Sequence, residues 1–522
     1  MNRYIDFIIK NYKTVILTII LLAVVSGYFI PDLEFNSAVD IYFEKEDPKV
    51  KTYMEFRDLF KNEEIALITF KDENLFSDEG ISIIRNISKS VAKINFVQRV
   101  ISLTEYQDAV YINDKLSFNN IIPDKHLDDR SLKSIRERIL NNKDILQRLI
   151  SEDGKTTTIL VELEHIARSS DQIRVAKHIR IAAINASGNS VQLHFAGPPF
   201  AQEEINKLSL KDLSILLPLM LFVDLIIFII FLGRMDFTIA GGVTLVLTTI
   251  ISVGFFAMSG EYINQITLIM PTVLLAIAIT DGIHLMIKFK EEDTLMGSDH
   301  PAATRNTLRA IWLPCLFTSL TKAVGFISLV TATLRPVRIL CIFTALSIMI
   351  AYGMTISFLP ALLIGFKKIS DTFTSKTVQG RKIFSKPHHK QNQMTKFILN
   401  IAHISTHYTL STIIAFALVS LIISFGIPKI RFESSWDKMF PEDQPFMKDL
   451  RFIEKNIGGS HSNELYIKAK SNEYDFTHPE SLKRIDDIQT YLVKKGIASS
   501  SVSIATYIRK VGEHLFLQFY RP

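Results

Sequence analysis

Leu275-Ala276-Ile277-Ala278-Ile279-Thr280-Asp281-Gly282-Ile283-His284 lies inside an apolar run over residues 266–287, and Asp281 is the run's only acid. A helix rises 1.5 Å per residue, so about 20 apolar residues cross the ~30 Å hydrocarbon layer of a bilayer. A carboxyl group in the middle of such a helix costs roughly 3 kcal/mol or more unless it is paired or hydrated, so its presence points to function. Six further runs of comparable length occupy 14–30, 213–232, 237–258, 311–334, 339–363 and 409–427. The chain therefore reads as a polytopic α-helical membrane protein with seven spans.

The 522 residues are enough for several domains. Charged residues make up 21%, below the ~25% of soluble domains, and mean hydropathy is +0.22. The two cysteines, Cys315 and Cys341, both lie in apolar runs, which rules out a disulfide framework or a cysteine-rich zinc module. The net charge of +6 is concentrated in one place. Over 366–400 stand Lys367, Lys368, Lys376, Arg381, Lys382, Lys386, Lys390 and Lys396 against the single acid Asp371. A basic loop between apolar runs fits retention of Lys and Arg in the cytoplasm better than nucleic-acid binding. His388-His389 falls in the same loop and reads as solvated.

With that loop inside, the N-terminus is also cytoplasmic, and residues 31–212 are exported. Arg335 and Arg338, in a short outward turn, run against the rule. Arg3, Lys10 and Lys13 precede the first span, but no small-residue cleavage site follows before Pro31, so the span reads as an uncleaved anchor. Within 31–212 the periodicity predicts strands at 64–70 and 97–103 around a helix capped by Ser77. A helix over 130–150, a strand at 156–163, a helix over 171–186 and a strand at 191–195 follow. Two such rounds suggest a ferredoxin-like split β-α-β fold.

Ile30-Pro31-Asp32-Leu33-Glu34-Phe35 recurs as Ile427-Pro428-Lys429-Ile430-Arg431-Phe432, 397 positions on (432 − 35). Asp40 meets Asp437, Phe43 meets Phe440 and Pro48 meets Pro445 at the same offset. Ser102 then meets Ser503, and Tyr106 meets Tyr507, at 401. The seventh span is thus read as the first span repeated, opening a second exported domain. That copy reaches Pro522, equivalent to about position 121 of the first, which predicts a truncated parallel repeat. The divisions expected are 1–30 anchor, 31–212 exported domain, 213–365 five-helix bundle, 366–408 basic loop, 409–427 seventh helix and 428–522 partial second domain.

Four stretches carry a family resemblance. Gly260-Glu261-Tyr262-Ile263-Asn264-Gln265 leads into the fourth span, and the Asp281 segment lies within it. Thr318-Ser319-Leu320-Thr321-Lys322-Ala323-Val324-Gly325-Phe326 lies in the fifth, and Phe358-Leu359-Pro360-Ala361-Leu362-Leu363 closes the sixth. The chain resembles the resistance-nodulation-division superfamily, in its MMPL-type branch with the sterol-sensing, Patched-like module. That resemblance implies a twelve-span pseudo-symmetric bundle with exported porter domains, moving lipidic or amphiphilic molecules on proton-motive force. The setting it implies is the bacterial plasma (inner) membrane. It also implies that the relay acid is Asp281, although many relatives carry an aromatic where this chain has Gly282 and a neutral residue where it has Lys322.

Independently of family, Asp224, Asp281 and Lys322 lie at similar depths in their spans, and an acid beside a cation can exchange a proton as its partner moves. A proton carrier and a structural ion pair are both open readings of Asp281. His284, three residues further on, could extend a proton path or simply pack at the cytoplasmic mouth. Asp224 rests on the general rule for intramembrane charge. No G-x-x-x-x-G-K-[ST] phosphate loop and no H-E-x-x-H zinc signature occurs, so no cofactor, ATP hydrolysis or protease chemistry is expected. The leading expectation is a proton-driven exporter or the N-terminal part of one, and not an enzyme. The alternative is a non-transporting lipid-sensing or assembly subunit. The expected partners are membrane lipid or another hydrophobic substrate, protons, and a second copy or complementary half-transporter.

Overall fold

The computed structural model describes residues 2–374 and 393–509, apart from 37–38, 44–45, 61–63, 113–114, 125–127, 143–144, 167, 298, 432–437, 439, 460–464, 469–475, 477, 499 and 507. Most of the basic loop, including Lys376, Arg381, Lys382, Lys386, Lys390 and His388-His389, lies outside the described residues. So do Phe432, Asp437, Tyr507 and the last residues to Pro522.

Helices α1 (Asn2–Lys10), α2 (Tyr12–Tyr28) and α3 (Pro48–Phe60) lead to strand β1 (Glu64–Lys71) and helix α4 (Asp78–Val91). Strand β2 (Val97–Ile101), the hairpin β3 (Gln107–Ile112) and β4 (Lys115–Asn120), α5 (Asp129–Leu140), β5 (Thr156–Leu163), α6 (Ser169–Ser187) and β6 (Leu193–Ala196) follow. The sheet order is β2-β5-β1-β6, with every pairing antiparallel. Ser77 caps α4 by accepting the Gly80 N–H at 3.0 Å, as its position before the acidic first turn predicts. Ile68, Phe70, Ile84, Ile87, Ile159, Val161 and Ile179 fill the layer between sheet and helices.

Two local expectations change. The helix expected over 130–150 ends at Leu140. Asn141-Asn142 stops it, and Ile145, Leu149 and Ile150 bury themselves in a turn that bridges to β5 at Thr157. The β3–β4 hairpin carries no strong alternation and was not expected.

Among the described residues, seven helices are long and apolar enough to cross a membrane, at Tyr12–Asp32, Pro198–Leu232, Met235–Met258, Thr267–Leu295, His300–Thr331, Arg335–Phe366 and Thr409–Lys429. They match the seven runs. Their helices are α2, α7 (Pro198–Leu232), α8 (Met235–Met258), α9 (Met270–Leu295), α10 (His300–Ile327), α11 (Arg335–Thr374) and, beyond α12 (Gln393–His407), α13 (Thr409–Ser424). Helix α7 begins directly after the sheet, well before the start of its apolar run at residue 213. Gly197 makes this junction with φ +105, and a Cβ there would stand 2.2 Å from the Ile65 carbonyl oxygen. Helix α8 crosses α2 at Gly254, whose Cβ would meet the Ser26 carbonyl oxygen at 2.2 Å. Backbones that close need a small residue, as at helix crossings within lipid.

At the end of the bundle that carries α1, a polar knot ties α8, α9 and α10. Arg234 pairs with Asp236 at 2.6 Å and reaches Asp293 of α9 at 3.4 Å, and His300 of α10 lies 3.1 Å from Asp293. At the other end, helix α14 (Pro445–Ile457) meets the sheet domain, and helix α15 (Pro479–Lys494) follows it along the chain. Asp449 of α14 accepts the Phe195 N–H at 3.1 Å and meets His194 at 2.7 Å, and Phe452 stacks on the His194 ring. In the opposite sense, Glu55 of α3 pairs with Lys468 at 2.6 Å and Phe56 meets Tyr466. Residues 369–447 form a separate compact unit that holds α12 and α13.

Candidate functional site

Asp281 projects from the middle of α9 and is buried. Helix α10 presents Ser319 and Lys322 on one face, three residues apart. The Ser319 hydroxyl donates to Asp281 Oδ2 at 2.7 Å, and Lys322 Nζ lies 3.5 Å from Asp281 Oδ1. Lys322 also donates to Thr280 Oγ1 at 3.1 Å. The Thr280 hydroxyl spends its own hydrogen on the Ile277 carbonyl at 2.6 Å, which leaves its lone pairs to face the ammonium. Gly282, next to Asp281, faces the other way, and a Cβ there would touch the Phe228 ring at 3.7 Å.

The carboxylate thus has two unlike partners, a neutral hydroxyl and a cation. Protonating Oδ1 would cancel the attraction to Lys322 while the Ser319 bond could remain. The pair can therefore change the contact between α9 and α10 without leaving an uncompensated charge on the acid.

The other sequence candidates are placed differently. Asp224 of α7 is buried in line with Phe228 and Leu232, and its Oδ2 has no hydrogen-bond partner among the described residues. No ion pair joins it to Lys322 among the described residues. His284 is exposed on α9, while Asp281 is buried, so the three-residue spacing does not bring it into the cluster. Ser319 and Thr280 are the residues that sequence reasoning passed over. Both sat in quoted motifs, and the signal for Ser319 was its helical spacing from Lys322. Among the described residues no group of three or more His, Cys, Asp or Glu could hold a metal ion.

A family model described as "MMPL family" matches residues 53–394. A protein of Methanocaldococcus jannaschii, described as a membrane protein, is 21% identical over 356 residues, covering 67% of this chain and 89% of that protein.

Proposed function

This chain belongs to the MMPL family, and from that premise we propose that it is a proton-driven exporter of lipidic or amphiphilic molecules, or the N-terminal part of one. The observation that carries the reading is the buried Asp281 held between Ser319 and Lys322 in the middle of two apolar helices. Apolar cores do not keep such a pair for stability, because desolvating both charges offsets most of their attraction. A pair that must gain and lose a proton is different, since its charge state is what moves the helices. Asp224, with an orphaned carboxyl oxygen at a similar depth, is the second protonation site in this reading. His284 is left as a group at the cytoplasmic mouth.

The architecture follows the same reading. Residues 31–212 form an exported porter domain of ferredoxin-like type, supported by the antiparallel order β2-β5-β1-β6 with α4 and α6 as its crossovers. The N-terminus and the basic loop face the cytoplasm of a plasma membrane. The parallel repeat is supported by element starts. Helix α2 opens at Tyr12 and α13 at Thr409, while α3 opens at Pro48 and α14 at Pro445, both pairs offset by the interval of the Ile30 and Ile427 hexapeptides.

The test is efflux of a hydrophobic dye such as Nile red from membrane vesicles under an imposed proton gradient. The native chain should lower the vesicle signal, and the Asp281→Asn chain, equal in abundance, should not. Undiminished efflux by Asp281→Asn removes the acid from the relay. The absence of efflux at every gradient favours the lipid-sensing alternative.

A further inference from the structure

The exported end of α9 is tied to the chain that follows the first span. Phe35 and Ile263 form a parallel bridge, in which the Asn36 N–H donates to the Ile263 carbonyl at 2.7 Å and the Ile263 N–H donates to the Glu34 carbonyl at 3.0 Å. Asn36 is buried, and its Oδ1 accepts a hydrogen bond from the buried Ser169 hydroxyl at 2.8 Å. Ser169 is the first residue of α6, which packs against α4 in the sheet domain and against α7. On the other side of the bridge, Asn264 Oδ1 accepts the N–H groups of Ile266 and Thr267 at 3.0 Å each, while the Thr267 hydroxyl oxygen accepts the Asn264 N–H at 2.9 Å. This reciprocal cap joins the bridge to the short 3-10 turn Thr267–Ile269, from which α9 starts. Tyr42 donates to Gln265, and Arg335 holds Glu261 through both carboxylate oxygens at 3.0 Å.

A continuous helix is stiff along its axis. Asp281 lies 11 residues into α9 from Met270, about 17 Å along the helix, and the capped turn joins Met270 to Asn264. Any axial shift or tilt of α9 at Asp281 therefore arrives at Ile263, and the two backbone bonds hand it to Glu34 and Asn36. It reaches the sheet domain through the Asn36 side chain, whose partner Ser169 belongs to α6, beside a longer contact of Glu34 with Arg168 at 3.9 Å at the exposed edge. The two bonds are flanked by the buried Asn36 and Asn264, and a pair of adjacent backbone hydrogen bonds transmits displacement before it yields.

We propose that Asn36 is a positioning residue that passes displacement of the Asp281 helix to the sheet domain through Ser169. This rests on the proton-relay reading of Asp281, which supplies the displacement. The role asked of Asn36 is narrow. Its backbone N–H holds Ile263, ahead of the turn that opens α9, and its carboxamide oxygen holds α6.

The test is amide hydrogen exchange on the full chain in lipid nanodiscs, in a mutant cycle. Asp281→Asn, the neutral isostere of the protonated acid, should change deuterium uptake by about two-fold both at 262–275 and at 165–180. In an Asn36→Leu background the change at 262–275 should remain while that at 165–180 disappears. Asn36→Asp, which keeps an acceptor for Ser169, should restore it. A response at 165–180 that survives Asn36→Leu overturns the proposal, and so does an Asp281→Asn chain that changes neither segment. Should Asn36→Leu fail to fold, the Asn36→Asp and Ser169→Ala chains run the same comparison, with the response expected to persist in the first and vanish in the second. Proton uptake by native vesicles reads the relay separately, so its failure is distinguishable from failure of the clamp.

Discussion

Replacing Lys322 with methionine should be worse for the protein than removing both charges of the pair. Lys322 Nζ and Asp281 Oδ1 are 3.5 Å apart. At an effective dielectric near 20, two unit charges at that distance attract by roughly 5 kcal/mol. The Lys322 side chain keeps 30% of its surface while Asp281 keeps 4%, so screening and ordering fall mainly on the lysine. About 1 to 3 kcal/mol should survive as net coupling. Lys322→Met leaves a buried carboxylate with Ser319 as its remaining hydrogen-bond donor at the site, a loss of about 2 to 4 kcal/mol. Lys322→Met with Asp281→Asn should recover about 2 kcal/mol of it. At ~2 to 4 °C per kcal/mol, the recovery is about 4 to 8 °C in the midpoint of detergent-solubilised chain followed by intrinsic fluorescence. Transport should not return with it. If the two substitutions lose stability additively, the residues do not interact and the site geometry is refuted.

Other consequences can be checked with less effort. A reporter fused after Gly197 should be exported and one fused after Gln391 cytoplasmic, and the opposite placement of either would undo the topology. Gly254→Val should prise α2 from α8 and cost about 1 to 3 kcal/mol, seen as a lower melting midpoint, because the added carbons meet the Ser26 carbonyl. Ser319→Ala should leave insertion intact but slow dye efflux, since the carboxylate loses its neutral donor; an unchanged rate would show that Lys322 alone orients Asp281. In the sheet domain, hydrogen bonds from Lys155 and Lys71 hold the Glu73 carboxyl below its ordinary value of 4.5. The stability this contributes is present at neutral pH and lost as pH falls below about 4.5, through the lowered value of the folded state. Glu73→Gln should therefore flatten that acid limb of a denaturation series.

Much of this was legible in the sequence because the signals are one-dimensional. Apolar runs set the seven spans, and strands at Glu64–Lys71 and Thr156–Leu163 follow their own β-branched content. Ser77 announced α4 by its position before Asp78 and Glu79. The pairing of Asp281 with Lys322 was reachable from depth along two antiparallel helices. What was hidden depends on the third dimension. His284 shares a spacing with Asp281 but not a neighbour, since α10 covers only part of the α9 surface. Ser319 looked like an ordinary small hydroxyl until α10 turned it toward a carboxylate. The bridge between Phe35 and Ile263 joins residues more than two hundred positions apart, and nothing in either segment alternates long enough to read as a strand.

Proton carriage by Asp281 is open to direct measurement. Vesicles containing the native chain or Asp281→Asn at equal density, loaded with the pH dye pyranine, would be given an inward proton gradient. Native vesicles should acidify faster than empty ones, and Asp281→Asn vesicles should match the empty ones. Equal acidification by the native and Asp281→Asn chains would contradict it.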